Sequence, residues 1–174
     1  MTNQASEISA YSDPILFDKI AQEINTALNS KFDDQYPVCW TRTEDDLTVP
    51  EVYKNDGSKI DFRVMPNETR SMSFFTVEGE LTEIDESDFA CPMAISCWAN
   101  LQKYDNTKLY DYTAELIRYV LNVLNKYGCY DLSVNVNDPF ENFSMLQKEV
   151  DENTQRPYSA FKILFTKTVR ICDS

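Results

Sequence analysis

Carboxylates are the most strongly clustered chemical groups in this chain. Six lie between Glu78 and Asp88 without an intervening basic residue, at Glu78, Glu80, Glu83, Asp85, Glu86 and Asp88, and three more are consecutive at Glu44, Asp45 and Asp46. Oxygen-rich clusters suit Ca²⁺ or Mg²⁺, but neither run has the ordered ligand spacing and central glycine of a calcium-binding hand. Solvated acidic loops are the simpler interpretation, and we expect no metal or cofactor.

Side chains that usually carry catalysis are scarce. The 174 residues include no histidine and only three glycines, so the commonest general acid–base group and phosphate-binding glycine loops are missing. A carboxylate pair could hydrolyse glycosides only across a cleft of about 5 to 10 Å, a geometry that sequence does not provide. We therefore expect no enzymatic activity.

The cysteines are interpreted as buried free thiols. There are five, at Cys39, Cys91, Cys97, Cys129 and Cys172, with no Cys-x-x-Cys pair. An odd number without such spacing disfavours both a disulfide framework and a zinc finger. Without histidine, a nucleophilic cysteine would need activation by lysine, arginine or a helix N-terminus.

Length and composition indicate one folded domain spanning residues 1–174, with residues 1–12 as a flexible leader. The chain is 43% hydrophobic with ten Tyr and ten Phe, too apolar for a disordered protein despite a net charge of −13. The sequence contains no secretory signal or stretch long enough to span a membrane, so we expect an intracellular protein without a membrane partner.

Two helices are predicted from apolar spacing and end signals. Pro14 to Ser30 repeats apolar residues at helical intervals after Asp13, a capping residue. Thr107 to Tyr127 does the same, and Gly128 follows where a left-handed C-terminal cap belongs.

Extended segments occupy most of the remaining chain. The longest is Phe89 to Leu101, apolar at nearly every position and therefore predicted to be buried on both faces. Tyr130 to Val136 alternates with a period of two, and we expect it to share one sheet with the Phe89 strand and the last strand. Asn55-Asp56-Gly57 is a turn signal that predicts a hairpin between the Val49 and Ile60 segments. The other predicted strands are Val38 to Trp40, Val49 to Tyr53, Ile60 to Val64, Ser71 to Leu81 and Phe161 to Ile171.

Residues 137–157 form an excursion before the last strand. It begins with Asp138-Pro139 and is consistent with a short helix, a hairpin or a protruding loop. Its apolar residues are candidate contacts to a neighbouring ring: Phe140, Phe143, Met145 and Leu146. The resulting fold class is α+β, a mostly antiparallel sheet flanked by two main helices.

Charge is distributed unevenly along the chain. Residues 1–90 contain 19 acids and 7 bases, a net charge of −12, whereas residues 91–174 contain 10 acids and 9 bases, a net charge of −1. Such polarity suits a subunit with one acidic surface toward a channel and a balanced surface toward its neighbours. A merely soluble acidic surface explains the charge equally well.

The order of elements resembles tail-terminator and related neck or connector proteins of tailed bacteriophages. The residues that carry the resemblance are the helix Pro14 to Ser30, the strand Phe89 to Leu101 leading into the helix Thr107 to Tyr127, and the closing strand after Asp138-Pro-Phe-Glu-Asn142. The resemblance implies a non-enzymatic virion component that forms a hexameric or larger ring and contacts neighbouring neck, connector or tail proteins. It would assemble in the host cytoplasm and let DNA pass.

On that hypothesis, the carboxylates of the two acidic runs line a lumen or a ring interface. Carboxylates repel phosphate, so DNA could slide past them without sticking. A monomeric acidic binding protein, such as a DNA mimic that inhibits a nucleic-acid-binding protein, is the alternative. Binding by a mimic would weaken steeply with ionic strength, whereas a ring held by apolar and backbone contacts would persist.

Overall fold

The computed structural model describes residues 16–28, 31–53, 59–61, 71–104, 109–141, 143 and 158–170. This part of the chain contains two α-helices and two sheets, which confirms the predicted α+β class. The elements in chain order are α1 (Leu16–Leu28), β1 (Asp34–Val38), β2 (Trp40–Glu44), β3 (Leu47–Tyr53), β4 (Lys59–Asp61), β5 (Met72–Val77), β6 (Thr82–Glu83), β7 (Asp88–Asn100), a 3-10 turn (Leu101–Lys103), α2 (Leu109–Lys126), β8 (Cys129–Asn135) and β9 (Tyr158–Arg170).

The main sheet has the strand order β1-β5-β7-β9-β8, and the short β6 pairs with β7 beyond the end of β5. Only the β1–β5 pair within it is parallel. β7 and β9 pair along their whole length, from Asp88↔Arg170 to Asn100↔Tyr158. The prediction that the last two strands share a sheet with the Phe89 strand is confirmed.

Pro92 lies within the central strand β7, where a missing N–H would normally break a ladder. Its carbonyl accepts a hydrogen bond from the Glu78 amide at 3.0 Å, at the place where the partner of β7 changes from β5 to β6. In an antiparallel strand the N–H and C=O of one residue point to the same side. The missing N–H therefore faces the β5–β6 gap, and pairing with β9 continues undisturbed.

Both helices pack on one face of the main sheet, which we call the helix face. Alternating residues of β7 and β9, including Ile95 and Ile163, are fully buried there. They meet apolar stripes of the helices, contributed by Ile20, Ala21, Ile24 and Leu28 of α1 and by Leu116, Val120, Val123 and Leu124 of α2. This layer contains the larger of the two buried apolar clusters, and fully burying one Leu, Ile or Val side chain stabilises a fold by about 1.5 to 3 kcal/mol. It is therefore the main source of stability.

The opposite face of the main sheet, which we call the open face, carries the other set of alternating residues. Phe74, Trp98 and Ala160 form a small buried cluster there with Cys39, Met72 and Phe140. Ser96 and Lys162, opposite each other in the β7–β9 register, are also buried on this face. β7 is thus buried on both sides, as its nearly continuous apolar sequence predicts.

The smaller sheet has the order β2-β3-β4 and is antiparallel. The chain passes to it from β1 through Cys39, whose amide still donates to the Phe75 carbonyl at 2.8 Å. The predicted pairing of the Val49 and Ile60 segments is confirmed by the register Val52↔Ile60. The turn residues Asn55, Asp56 and Gly57 lie outside the described residues.

Several predicted boundaries need correction. The predicted strand Ser71 to Leu81 ends at Val77, and Leu101 belongs to a 3-10 turn in which Asn100 Oδ1 accepts from the Gln102 amide at 3.0 Å. The predicted helices are confirmed over Leu16–Leu28 and Leu109–Lys126, while Pro14, Ser30 and Thr107 lie outside the described residues. Gly128 has φ 70°, as its predicted capping role requires.

β8 departs from the regular alternation that its sequence predicts. Tyr130 pairs with Thr166 and Ser133 with Leu164, so three steps along β8 match two along β9. The extra residue forms a β-bulge in which Asp131 has φ 53°. Because of the bulge, Leu132 packs against the helix-face core. No helix among the described residues is long and apolar enough to cross a membrane.

Candidate functional site

The loop formed by residues 79–87, which we call the acidic loop, connects β5 to β7. Glu80, Glu83, Asp85 and Glu86 are all exposed. Hydrogen bonds within the loop hold its conformation. Ile84 N donates to Asp88 O at 2.8 Å, and Asp85 Oδ1 accepts from the amides of Ser87 at 3.1 Å and Asp88 at 3.0 Å. It therefore presents its carboxylates to solvent from a defined conformation.

The two residues that end this acidic run are engaged within the chain. Asp88 accepts from the Arg170 guanidinium at 2.9 and 3.3 Å, and the hydrogen bond from Arg170 lowers the pKa of this carboxyl. Glu78 pairs with Lys162 on the open face. Glu78 and Asp88 thus differ from the exposed members of the predicted lumen or interface set.

The second acidic run, Glu44, Asp45 and Asp46, lies at the exposed tip of the β2–β3 hairpin. Asp45 and Asp46 have φ 50° and 63°, the left-handed pair of a tight two-residue hairpin turn. Aspartate tolerates this conformation better than most residues, which gives the two carboxylates a conformational reason to be there. Glu44 also accepts from Arg42 at 2.7 Å.

Of the four residues predicted to contact a neighbouring ring, the structure describes Phe140 and Phe143. Phe140 is only 2% exposed and belongs to the cluster on the open face, and Phe143 contacts Phe74 edge-on with ring centroids 5.6 Å apart. The turn that holds them begins where Ser96 Oγ donates to the Pro139 carbonyl at 3.4 Å. Phe140 accordingly packs inside its own chain. Met145 and Leu146 lie outside the described residues.

Lys162 is the most unusual buried group, with a side chain 2% exposed. Its ammonium lies 3.0 Å from Glu78 Oε1 and 3.0 Å from Glu141 Oε1, and Thr76 donates its hydroxyl hydrogen to Glu78. Burial of an ammonium is costly unless it is paired in this way. The triad joins β9, the end of β5 and the turn that begins the excursion.

The Lys162 triad was missed by sequence reasoning, although a signal exists. Lys162 sits between Phe161 and Ile163, and the residues two positions away, Ala160 and Leu164, are also apolar. A single lysine in a strand that is apolar on both faces has to be buried, and a buried lysine needs a carboxylate partner. The identity of the partners comes only from the three-dimensional arrangement.

A cleft of about 400 Å³ opens beside this triad. Among the described residues its walls are Cys39, Trp40, Thr41, Thr76, Val77 and Glu78. The cleft therefore lies where the chain leaves the main sheet for the smaller one. Trp40 is 44% exposed, which is unusual for an indole, whereas Trp98 is 1% exposed.

The described cysteines are free and buried, as predicted, at Cys39, Cys91, Cys97 and Cys129. Burial raises the pKa of the Cys39 and Cys97 thiols well above the ordinary range, and raises that of Cys129 to about 11. These thiols are protonated at neutral pH and are therefore weak nucleophiles. Cys172 lies outside the described residues.

A network of hydrogen bonds connects the segment after α1 to the residue that precedes β5. Asp33 Oδ2 accepts from the Ser71 amide at 2.9 Å, from the Ser71 hydroxyl at 3.1 Å and from the Lys103 ammonium. Partial burial raises the pKa of Asp33, but the hydrogen bonds from Lys103 and Ser71 outweigh it, so the pKa lies below its ordinary value. This network is structural in character.

β8 is an edge of the main sheet, and among the described residues it pairs only with β9. Tyr130, Val134 and Val136 are 39%, 40% and 50% exposed along and just after it. An edge strand leaves a row of backbone N–H and C=O groups that another strand can pair with.

Across the described ranges, no group of three or more Cys, Asp or Glu is arranged to hold a metal ion. No family model, curated protein or solved structure matches the chain.

Proposed function

We propose that the protein is a non-enzymatic structural subunit that assembles into a ring with copies of itself. In this proposal the ring is a neck or tail-terminator component of a tailed phage, and the acidic loop faces the path of the DNA. The β8 edge carries the proposal, and charge distribution and loop exposure add to it.

Because of the strand order, the two ends of the main sheet come from halves of the chain that differ in net charge. β1 and β5 belong to the half of the chain with net charge −12, whereas β8 and β9 belong to the half with net charge −1. Copies of a protein with net charge −13 repel one another, and the repulsion is weakest between near-neutral surfaces. Self-association is therefore favoured on the β8 side.

The β8 edge has the chemistry that self-association requires. Tyr130 and Val134 present exposed apolar area on a strand whose outer edge has no strand partner among the described residues. A second copy offers the same edge or a complementary one. Backbone pairing supplies affinity and the flanking apolar side chains supply specificity. Ring closure needs a heterologous contact, in which β8 of one subunit meets a different surface of the next.

The acidic loop suits a surface past which DNA moves. Glu80, Glu83 and Glu86 are exposed on one short connection, and a row of fixed negative charges repels phosphates. Such repulsion favours sliding without adhesion.

Light scattering at two protein concentrations, with negative-stain imaging, tests the proposal. We expect a mass of six or more subunits and ring-shaped particles. Val134→Lys should lower the mass to that of one subunit, because a charged side chain would lie in the contact. Leu47→Lys is the matched control, since Leu47 is 45% exposed on the smaller sheet. A wild-type monomer at both concentrations would contradict the proposal and favour the acidic inhibitor.

A further inference from the structure

We propose that the cleft beside the Lys162 triad is a binding site for the cationic head of an organic ligand, a guanidinium or a primary ammonium. The inference does not depend on ring assembly. It follows from the size of the cleft, the charges beside it and the residues of its wall.

The cleft has the dimensions of a ligand site. Its volume of about 400 Å³ lies within the range of about 300 to 1,000 Å³ that is usual for small-molecule sites. It is a gap between two sheets that are joined by a single residue, Cys39, at this point. A gap of this kind can hold a guanidinium or ammonium together with a short alkyl chain.

Charge beside the cleft is negative. Glu78 lies in the wall, and the Glu78–Lys162–Glu141 triad contains two carboxylates and one ammonium. The strand that supplies Trp40 and Thr41 continues to Arg42, which again lies between two carboxylates, Glu44 at 2.7 Å and Glu51 at 3.3 Å. A cation entering the cleft therefore meets the Glu78 carboxylate, and the triad to which Glu78 belongs keeps a net charge of −1 after its pairing with Lys162.

Lys162 prepares Glu78 for this role. The side chain of Lys162 is 2% exposed, and its ammonium approaches both Glu78 oxygens from the β9 side, at 3.0 and 3.1 Å, while Thr76 donates to the same carboxylate. These contacts fix the position of the carboxylate without lining the cleft with positive charge, because Lys162 is not among its walls. A pre-positioned carboxylate binds a cation with less loss of side-chain entropy.

The remaining wall residues fit the same ligand. Trp40 offers an exposed aromatic side chain, and tryptophan is the best of the aromatic residues for attracting a cation to its ring face. Thr41 and Thr76 bring hydroxyl oxygens that can accept from ligand N–H groups. Val77 adds apolar surface for an alkyl chain.

Calorimetry with n-butylguanidinium and its neutral isostere n-butylurea tests the site. We expect n-butylguanidinium to bind and to change the fluorescence of the exposed Trp40, whereas n-butylurea should bind at least about tenfold more weakly, because it cannot form a charge-assisted hydrogen bond with Glu78. Equal affinity for the two probes, or no binding of n-butylguanidinium to the folded protein, would overturn the proposal.

Variants locate the binding. Glu78→Gln should weaken n-butylguanidinium binding about tenfold, while Glu80→Gln, which removes a carboxylate two residues away on the exposed loop, should leave it unchanged. If Glu78→Gln does not fold, Trp40→Leu provides the same test, because Trp40 is exposed and its replacement should spare the core. Unchanged affinity in a folded Glu78→Gln or Trp40→Leu variant would overturn the assignment.

A second pair of probes distinguishes the sources of the cation. Acetyl-Gly-Arg-Gly-amide presents the guanidinium as a side chain, and n-butylguanidinium presents it as a free molecule. Tighter binding of the peptide would support a basic side chain of a protein as the ligand, whereas tighter binding of n-butylguanidinium would support a small cation. Failure of both would overturn the site and would leave the ring proposal untouched.

Discussion

The two faces of the main sheet are built on different chemistry. The helix face is closed by α1 and α2 and buries an apolar cluster that contains no charged residue. The open face has a smaller apolar cluster, with the buried ion triad of Lys162 beside it and a cleft at its edge. The first face supplies stability mainly through buried apolar area, while the second also depends on directed, charged contacts.

This difference is the reason for placing the proposed ligand site at the open face. Apolar burial is non-directional, so the helix face can hold the fold with many alternative side chains. An ion triad works only with its partners in place, because a buried charge without a partner is strongly destabilising. Fixed charges on the open face, with a cleft at its edge and the exposed indole of the adjoining smaller sheet, are features that stability alone does not require.

Phe161→Ala on the helix face should give the largest loss. Phe161 is 1% exposed at the centre of the cluster, and removal of a buried phenyl group costs about 3 to 5 kcal/mol through lost transfer energy and the cavity left behind. Urea denaturation measures the free energy of unfolding. A loss below about 1 kcal/mol would show that the helix face is not the main stabilising layer.

Lys162→Met on the open face should cost about 3 kcal/mol, because it leaves Glu78 partly buried without its ammonium partner. The double variant Glu78→Gln with Lys162→Met should recover much of this loss, since the buried charges are then removed together. Chemical denaturation of the two single variants and the double variant gives the coupling energy. Additive losses would contradict a coupled triad.

Asp33→Asn should cost about 1 to 2 kcal/mol at pH 7, through the loss of charge-assisted hydrogen bonds from Lys103 and Ser71. Because the folded-state pKa of Asp33 is lowered, its contribution is present above the unfolded-state value and disappears as the pH falls below about 4. Unfolding of the wild type and variant at pH 7 and pH 3 checks this. An equal difference at both pH values would contradict it.

Two glycine substitutions compare the cost of an added Cβ at two backbone conformations, and their effects should be smaller. Gly128→Ala, between α2 and β8, should cost about 1 kcal/mol, because φ is 70° and an alanine there is strained. Gly79→Ala should cost less, since its φ is not positive and the new Cβ would lie 3.1 Å from Pro92 Cγ and 3.8 Å from Pro92 Cβ, a contact that a small shift relieves. Thermal unfolding ranks the two, and the reverse order would contradict the backbone argument.

Sequence alone could predict the elements that a single pattern specifies. The Phe89 strand and the two helices follow from apolar spacing, and Gly128 from its position after a helix. The bulge at Asp131 could not be predicted, because the sequence of β8 alternates regularly. The extra residue becomes evident only from the register between β8 and β9. The end of β5 at Val77 could not be predicted either, because it depends on the point at which β7 changes its partner from β5 to β6.

The candidate site was predicted less well than the fold. The sequence showed that Glu78 belongs to an acidic run, but only tertiary structure brings it to Lys162, 84 residues later, and to Thr41 and Trp40 of another sheet. Phe140 was predicted to contact a neighbouring ring because it is an apolar residue of the excursion, whereas it packs into the buried apolar cluster of the open face. Both outcomes result from long-range contacts that local pattern does not encode.

Hydrogen exchange of the β8 backbone, measured at low and high protein concentration, tests the proposed self-assembly most directly. The outward-facing amides of β8 have no partner among the described residues, so they should exchange rapidly in a single subunit. We predict that they become protected as concentration rises, while the amides of β7, which are already paired on both sides, do not change. Rapid exchange of β8 in particles of ring mass would contradict the account, because assembly would then use a different surface.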